Sequence, residues 1–180
     1  RTVFFMPNLI GGIILGYIWK QMINAVLLKY ETTLVANPTY GFWGLVILMN
    51  WQMIGYMMII YVAGLQNVPT DLIEAAQIDG AGPIQLFFKV TIPLLTPTIF
   101  FVMITSIISG FQVFDVIYMM IGKTNPAYAN TQTVVMLFYR QAFDYGYKGY
   151  AAAISILIFA VIMLVTVIQM IGQKKWVNYD

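Results

Sequence analysis

PTDLIEAAQIDGAGPIQLFFKVTIPLLTP, residues 69–97, decides how this chain is read, because it alone interrupts long apolar runs with a compact, charged, helix-forming insertion. Pro69 and Thr70 end the preceding run. Asp71 can cap a new helix with Glu74 three residues on in capping-box position, and Leu72 to Ile78 propagates it. Gly80 and Gly82 then stop that helix. Gly80 tolerates left-handed geometry, and Pro83 suits the first turn of a second short helix whose Ile84, Phe87 and Phe88 share one face. The expectation is two short helices meeting at a glycine corner. An interfacial amphipathic helix between membrane spans would show similar periodicity.

Composition sets the solvent. Of 180 residues 61% are hydrophobic and 9% charged, and a mean hydropathy of +0.81 is incompatible with an ordinary soluble core of this length. The length allows one transmembrane domain. A first residue of Arg1 rather than Met leads us to expect that N-terminal sequence precedes it. With no Cys and no His, the chain has no disulfide framework, thiol nucleophile, imidazole base or usual zinc spacing, so no metal, cofactor or hydrolytic chemistry is expected. A net charge of +2 is too small and scattered to imply nucleic acid.

Four apolar stretches are long enough to cross ~30 Å of hydrocarbon: about 2–22, 42–65, 91–117 and 149–172, with the loop 69–93 between the second and third. In the first, Pro7 should loosen the opening turns, and Gly12 and Gly16 form a small-xxx-small pair that lets another helix approach. Lys20 to Gly41 reads as an aqueous connection. In the second, Gln52, Gly55 and Tyr56 lie on one helical face and Asn50 points away; these amides either bond to neighbouring helices or touch a transported solute. In the third, Thr91, Thr98, Thr105 and Gln112 recur every seven residues with Ser109 on the same face. Such a stripe either lines a translocation path or bonds to carbonyls one turn back while small side chains pack closely. Asp115 at its end suits ligand hydroxyls or a solvated helix end. Gly122 to Thr131 reads as a polar turn; its Gly122-Lys123-Thr124 is no phosphate loop, because position 117 is Ile117. Thr131 to Phe143 reads as a short surface amphipathic helix carrying Arg140.

Glu74-Ala75-Ala76, three residues, Gly80, nine residues and Val90-Thr91-Ile92-Pro93 are similar to the EAA loop of ABC-importer permeases, with Val90 and Ile92 as conservative departures from its Ile-x-Leu-Pro ending. Ile78-Asp79-Gly80-Ala81 resembles the multiple-sugar, maltose and glycerol-phosphate branch. The resemblance extends through Phe4 to Ile10, Ala63 to Gln66, Gln112 to Asp115, Gly149 to Ala153 and Lys174 to Val177. It implies an all-α transmembrane fold, the MetI-like permease core, serving as half of the pathway of an ATP-driven carbohydrate importer in the cell membrane of a prokaryote. It also implies a second permease subunit, two cytoplasmic ATPase subunits, an extracytoplasmic solute-binding protein, and at least one further N-terminal span. Coupling to the ATPase would fall to Glu74, Ala75, Ala76, Asp79, Gly80, Pro83, Ile92 and Pro93, and the substrate path to Thr105, Ser109, Gln112, Asp115 and Gln52. In relatives a Gly-Gly-Pro run usually occupies the region of Gly122 to Thr131, where this chain has GKTNPAYANT.

No enzymatic role is expected of the chain itself. An amino-acid or peptide importer permease shares the architecture; an ion-coupled transporter would want intramembrane charges and repeated halves, and a membrane scaffold is the non-transport alternative. Charge does not orient the chain, since Arg1, Lys89, Lys174 and Lys175 on the loop's side face Lys29, Lys123, Arg140 and Lys148 on the other. Family resemblance assigns the loop and the C-terminus to the cytoplasm.

Overall fold

The computed structural model describes residues 2–34, 36–122 and 128–178. We label the helices α1 Thr2–Leu9, α2 Gly12–Leu27, α3 Pro38–Gln66, α4 Thr70–Ile78, α5 Pro83–Phe111, α6 Asp115–Met120, α7 Tyr128–Thr131, α8 Val134–Tyr139 and α9 Lys148–Gln173. No strand occurs among the described residues. Among the described residues three helices, α3, α5 and α9, are long and apolar enough to cross a membrane. The chain divides into two compact units, Arg1–Tyr56 with Ile108–Ile162, and Met57–Ile107 with Met163–Asp180.

In the first unit the stretch read as one span is two helices. The chain leaves α1 at Ile10 and Gly11 and starts again at Gly12, whereas Pro7 lies inside α1 without ending it. Side chains hold α1 against α3: Asn8 Nδ2 donates to the Gln52 carbonyl at 3.1 Å and Trp51 Nε1 to the Val3 carbonyl at 3.2 Å. The approach is close because position 55 is glycine; a Cβ there would lie 2.7 Å from Asn8 Nδ2. The expected use of Gly12 and Gly16 is met by α6. A Cβ on Gly12 would sit 3.3 Å from Asp115 Cβ, and one on Gly16 3.4 Å from Met119 Cβ. Leu15, Leu34, Leu48, Ile117, Met120 and Met136 are buried in one apolar cluster beside these contacts. Trp19 stacks near Trp51 at 5.5 Å and donates to the Gly44 carbonyl at 3.0 Å, so its polar edge is satisfied.

The third apolar stretch differs most from expectation. Its helix starts at Pro83, not Thr91, so the second short helix of the glycine corner is the foot of a 29-residue helix. At 1.5 Å per residue that helix extends ~43 Å. It also stops at Phe111 instead of running to 117. Gln112 to Phe114 is non-helical, the Val113 carbonyl accepts the Thr133 hydroxyl at 2.9 Å, and α6 begins at Asp115. Thr133 also accepts from Met136 N at 3.2 Å and so caps α8. The stretch read as a single amphipathic helix, Thr131 to Phe143, is therefore α8 followed by a π turn, Arg140–Asp144. Of the polar turn Gly122 to Thr131, residues 123–127 lie outside the described residues.

In the second unit α3 packs on α5 at Gly64, where a Cβ would fall 2.7 Å from Thr98 Oγ1. Membrane helices gain little hydrophobic attraction for one another in lipid, and small residues at such crossings permit the contact that holds them. Gly55→Ala is expected to displace α1 and lower stability by about 1–3 kcal/mol. Gly110→Ala, in open space on α5, leaves stability unchanged or raises it by up to about 1 kcal/mol. Thermal unfolding midpoints of the two variants in one detergent check the contrast.

Candidate functional site: the docking corner and a polar cleft

The corner of residues 69–93 is built from backbone outward. α4 begins at Thr70 with Pro69 as its N-cap, and no side chain caps it. The expected capping by Asp71 is thereby corrected: the helix starts two residues earlier, so Asp71 lies in the first turn, where its carboxylate faces the positive end of the helix dipole. The other end closes as a Schellman motif. Ala81 N–H donates to the Ala76 carbonyl at 2.9 Å and Gly80 N–H to the Gln77 carbonyl at 3.0 Å. Gly80 has φ +84°, the left-handed geometry its sequence position suggested. Gly82 differs: with φ −71° and ψ 164° it is the extended N-cap of α5, with Pro83 at the first helical position.

α4 packs on the first turns of α5, and together they present Glu74, Ala75, Asp79, Gly80 and Pro83 to solvent, with Ala76 half-buried. Around them is an apolar tip: Ile78 is 86% exposed, Ile84 75% and Phe88 62%, with Phe87 and Phe88 edge to face at 5.2 Å. A shallow groove of about 530 Å³ runs along Gly82, Pro83, Ile84, Gln85, Phe88 and Lys89. Ile92 and Pro93 lie elsewhere, half-buried beyond a π-helical segment, Phe87–Thr91. They belong to the foot of α5 within the membrane helix and not to the tip. That foot contains Thr96, which the sequence reading missed. Pro97 has no N–H for the Pro93 carbonyl, and the Thr96 hydroxyl takes its place at 2.7 Å. The spacing Pro93, Thr96, Pro97 was the available signal.

In the first unit a cleft of about 350 Å³ is lined by Asn8, Gly12, Met49, Gln52, Met53, Tyr56, Ser109, Gln112, Val113, Phe114, Asp115 and Val116. Four of the five residues assigned to a path, Gln52, Ser109, Gln112 and Asp115, thus share one cavity. Asn8 was missed there; Tyr56 was noted only for sharing a face with Gln52. Thr105 does not line the cleft: its hydroxyl lies 2.9 Å from the Phe101 carbonyl and 3.1 Å from that of Val102, the back-bonding alternative for that stripe. Asn50 likewise bonds back to Val46 at 2.8 Å. The break after Phe111 exposes Ser109, Gln112 and Asp115 at the cleft. The described lining offers amides, hydroxyls and one carboxylate, with no cation.

Residues 2–177 match the family model for the binding-protein-dependent transport system inner membrane component. The chain belongs to this family. It is similar to a probable ABC transporter permease protein, YesP, of Bacillus subtilis (strain 168), at 34% identity over all of this chain and 62% of that one. It is 37% identical to a probable starch degradation products transport system permease protein, AmyD, of Thermoanaerobacterium thermosulfurigenes, over 99% of this chain and 63% of the other. The chain therefore spans a little over three fifths of these permeases' length. In fold it matches the crystal structure of a bacterial ABC transporter involved in the import of the acidic polysaccharide alginate, with a TM-score of 0.83 and 19% identity over 98% of this chain and 65% of that one. The all-α permease fold and a multi-pass membrane protein follow.

Backbone geometry at the corner yields a local test. Gly80→Val should cost about 1–3 kcal/mol there and speed hydrogen exchange of the Ala81 amide roughly five- to a hundredfold, while Gly82→Ala leaves it unchanged.

Proposed function

We propose that the chain forms half of the translocation pathway of an ATP-driven carbohydrate importer and couples to a cytoplasmic ATPase subunit through residues 69–93. The observation that carries this reading is the exposed corner itself. A rigid Schellman turn holds a thin, alanine-bearing helix beside Ile78, Ile84 and Phe88, apolar side chains that water solvates poorly. Asp71, Glu74, Asp79 and Lys89 set charges about that tip, as a groove on a soluble protein would require. Glu74, Ala75, Ala76, Asp79, Gly80 and Pro83 make the fitted surface, and Ile92 and Pro93 join it to the membrane helix.

For the solute, the cleft supports a neutral, hydroxyl-rich molecule: Asn8, Gln52, Tyr56, Ser109 and Gln112 offer uncharged donors and acceptors, with Asp115 as the single charge. An amino acid or peptide would call for both signs of charge. Relatives named for starch degradation products, arabinooligosaccharides and multiple sugars point the same way. In this reading Thr105 continues the path beyond the cleft. In this reading α3, α5 and α9 cross the bilayer together with the broken stretch 2–22, and the corner and C-terminus are cytoplasmic. A second permease, two ATPase subunits and an extracytoplasmic binding protein complete the complex; ATP is hydrolysed by those partners.

Reconstitution with an ATPase subunit and a sugar-binding protein tests this. Neutral oligosaccharides, and not amino acids, should stimulate ATP hydrolysis and be taken up. Gln112→Leu should lower uptake about five- to tenfold with basal hydrolysis retained, the effect of one lost hydrogen bond to a passing solute. Ala76→Leu should thicken α4 and lose the ATPase in pull-down. Full stimulation by amino acids alone, or unimpaired ATPase retention in Ala76→Leu, would contradict the assignment.

A further inference from the structure

The base of α5 is weak in its own backbone. A π segment occupies Phe87–Thr91, and Pro93 and Pro97 each remove an N–H donor from the turns that follow. Helices bend at such places. A side chain and a distant piece of chain reinforce this one. Beyond α9 the backbone turns, with Trp176 N–H donating to the Gln173 carbonyl at 3.1 Å and Val177 N–H to the same carbonyl at 2.9 Å. The turn brings Trp176 edge-on to Phe100 at 6.0 Å, and Asn178 N–H donates to Thr96 Oγ1 at 3.0 Å.

Thr96 is 8% exposed, and its hydroxyl serves both ends at once. It donates to the carbonyl that Pro97 would have left empty and accepts from the strap Trp176–Asn178. The two bonds share an oxygen, so an opening of the kink that pulls Thr96 away from Pro93 also disturbs the strap.

We propose that Thr96 is a positioning residue for coupling: through its hydroxyl the strap Trp176–Asn178 splints the proline-weakened foot of α5, so that displacement of the corner moves α5 as a lever and does not merely bend it. This rests on the docking reading above. With the splint in place, motion of Pro83 to Lys89 is passed up the helix; without it, the same motion is absorbed at residues 87–97.

The test uses the complete transporter in vesicles, comparing solute taken up per ATP hydrolysed. Thr96→Val keeps the shape and removes both hydrogen bonds; Thr96→Ser keeps the hydroxyl; Trp176→Ala loosens the strap and leaves α5 intact. Thr96→Val is expected to retain the ATPase subunit and hydrolyse ATP, while uptake per ATP falls about five- to tenfold. Trp176→Ala should fall in the same direction, and Thr96→Ser should restore wild-type coupling. Wild-type coupling in either Thr96→Val or Trp176→Ala would overturn the inference, as would a Thr96→Ser variant no better than Thr96→Val. Loss of uptake in strict proportion to loss of bound ATPase would also overturn it. If Thr96→Val does not insert, Trp176→Ala decides. Failure of the docking reading would appear already in the unaltered chain, as no ATPase retained and no stimulated hydrolysis.

Discussion

A polypeptide in hydrocarbon must satisfy its backbone N–H and C=O groups within itself, and the architecture of this chain follows from how it does so. Along α3, α5 and α9 the helix ladder suffices. Polar side chains from other segments add bonds to the backbone, both at breaks in the ladder and within α3. Asn24 accepts the Leu34 N–H at 2.9 Å, Asn8 donates to the Gln52 carbonyl, Trp19 to that of Gly44, and Thr133 to that of Val113. Asn24 and Thr133 thus close irregular backbone at Leu34 and Val113, while Asn8 and Trp19 tie neighbouring helices to carbonyls within α3.

Two breaks in the helix ladder bear on the proposed function. At Gln112 to Phe114 the helix ends early, and Ser109 and Gln112 stand in the wall of a cleft shared with Asn8 and Gln52. At Gly80 to Gly82 the Schellman corner turns the chain through a left-handed residue and starts α5 on Pro83. α5 then runs from that corner to Phe111, with Ser109 of the cleft near its far end. A small structural vocabulary of alanine, glycine, proline and threonine sets the geometry of both places, because thin helices, tight crossings and closed kinks depend on small side chains and absent hydrogens.

Much of this was legible in sequence. The spacing from Glu74 to Pro93 carried the family, and the polar stripe pointed toward the cleft at Ser109 and Gln112 but not at Thr105. Gly12 and Gly16 were read as a packing face and found a partner in α6. What was not legible depended on partners far apart in the chain. No local pattern told that Asn8 would bond across to Gln52, so the break at Gly11 was missed. Asp71 looked like a cap because Pro69 and Thr70 read as the end of the preceding run and Glu74 stands three residues on, yet the fold began α4 at Thr70. The end of α5 at Phe111 was hidden within an uncharged run, since Thr133 supplies the bond that holds Val113 out of the helix. Thr96 was overlooked because its role appears only when Pro97's missing donor and the remote Asn178 are considered together.

The central claim is that residues 69–93 dock on an ATPase at the cytoplasmic face. The chain has no cysteine, so Gln77→Cys, exposed on α4, gives a single reporter. Its labelling by a membrane-impermeant thiol reagent should be absent in intact cells, present in inside-out vesicles stripped of the ATPase, and blocked when the ATPase subunit is restored. Labelling from outside intact cells, or labelling in vesicles that the ATPase does not change, would contradict the account.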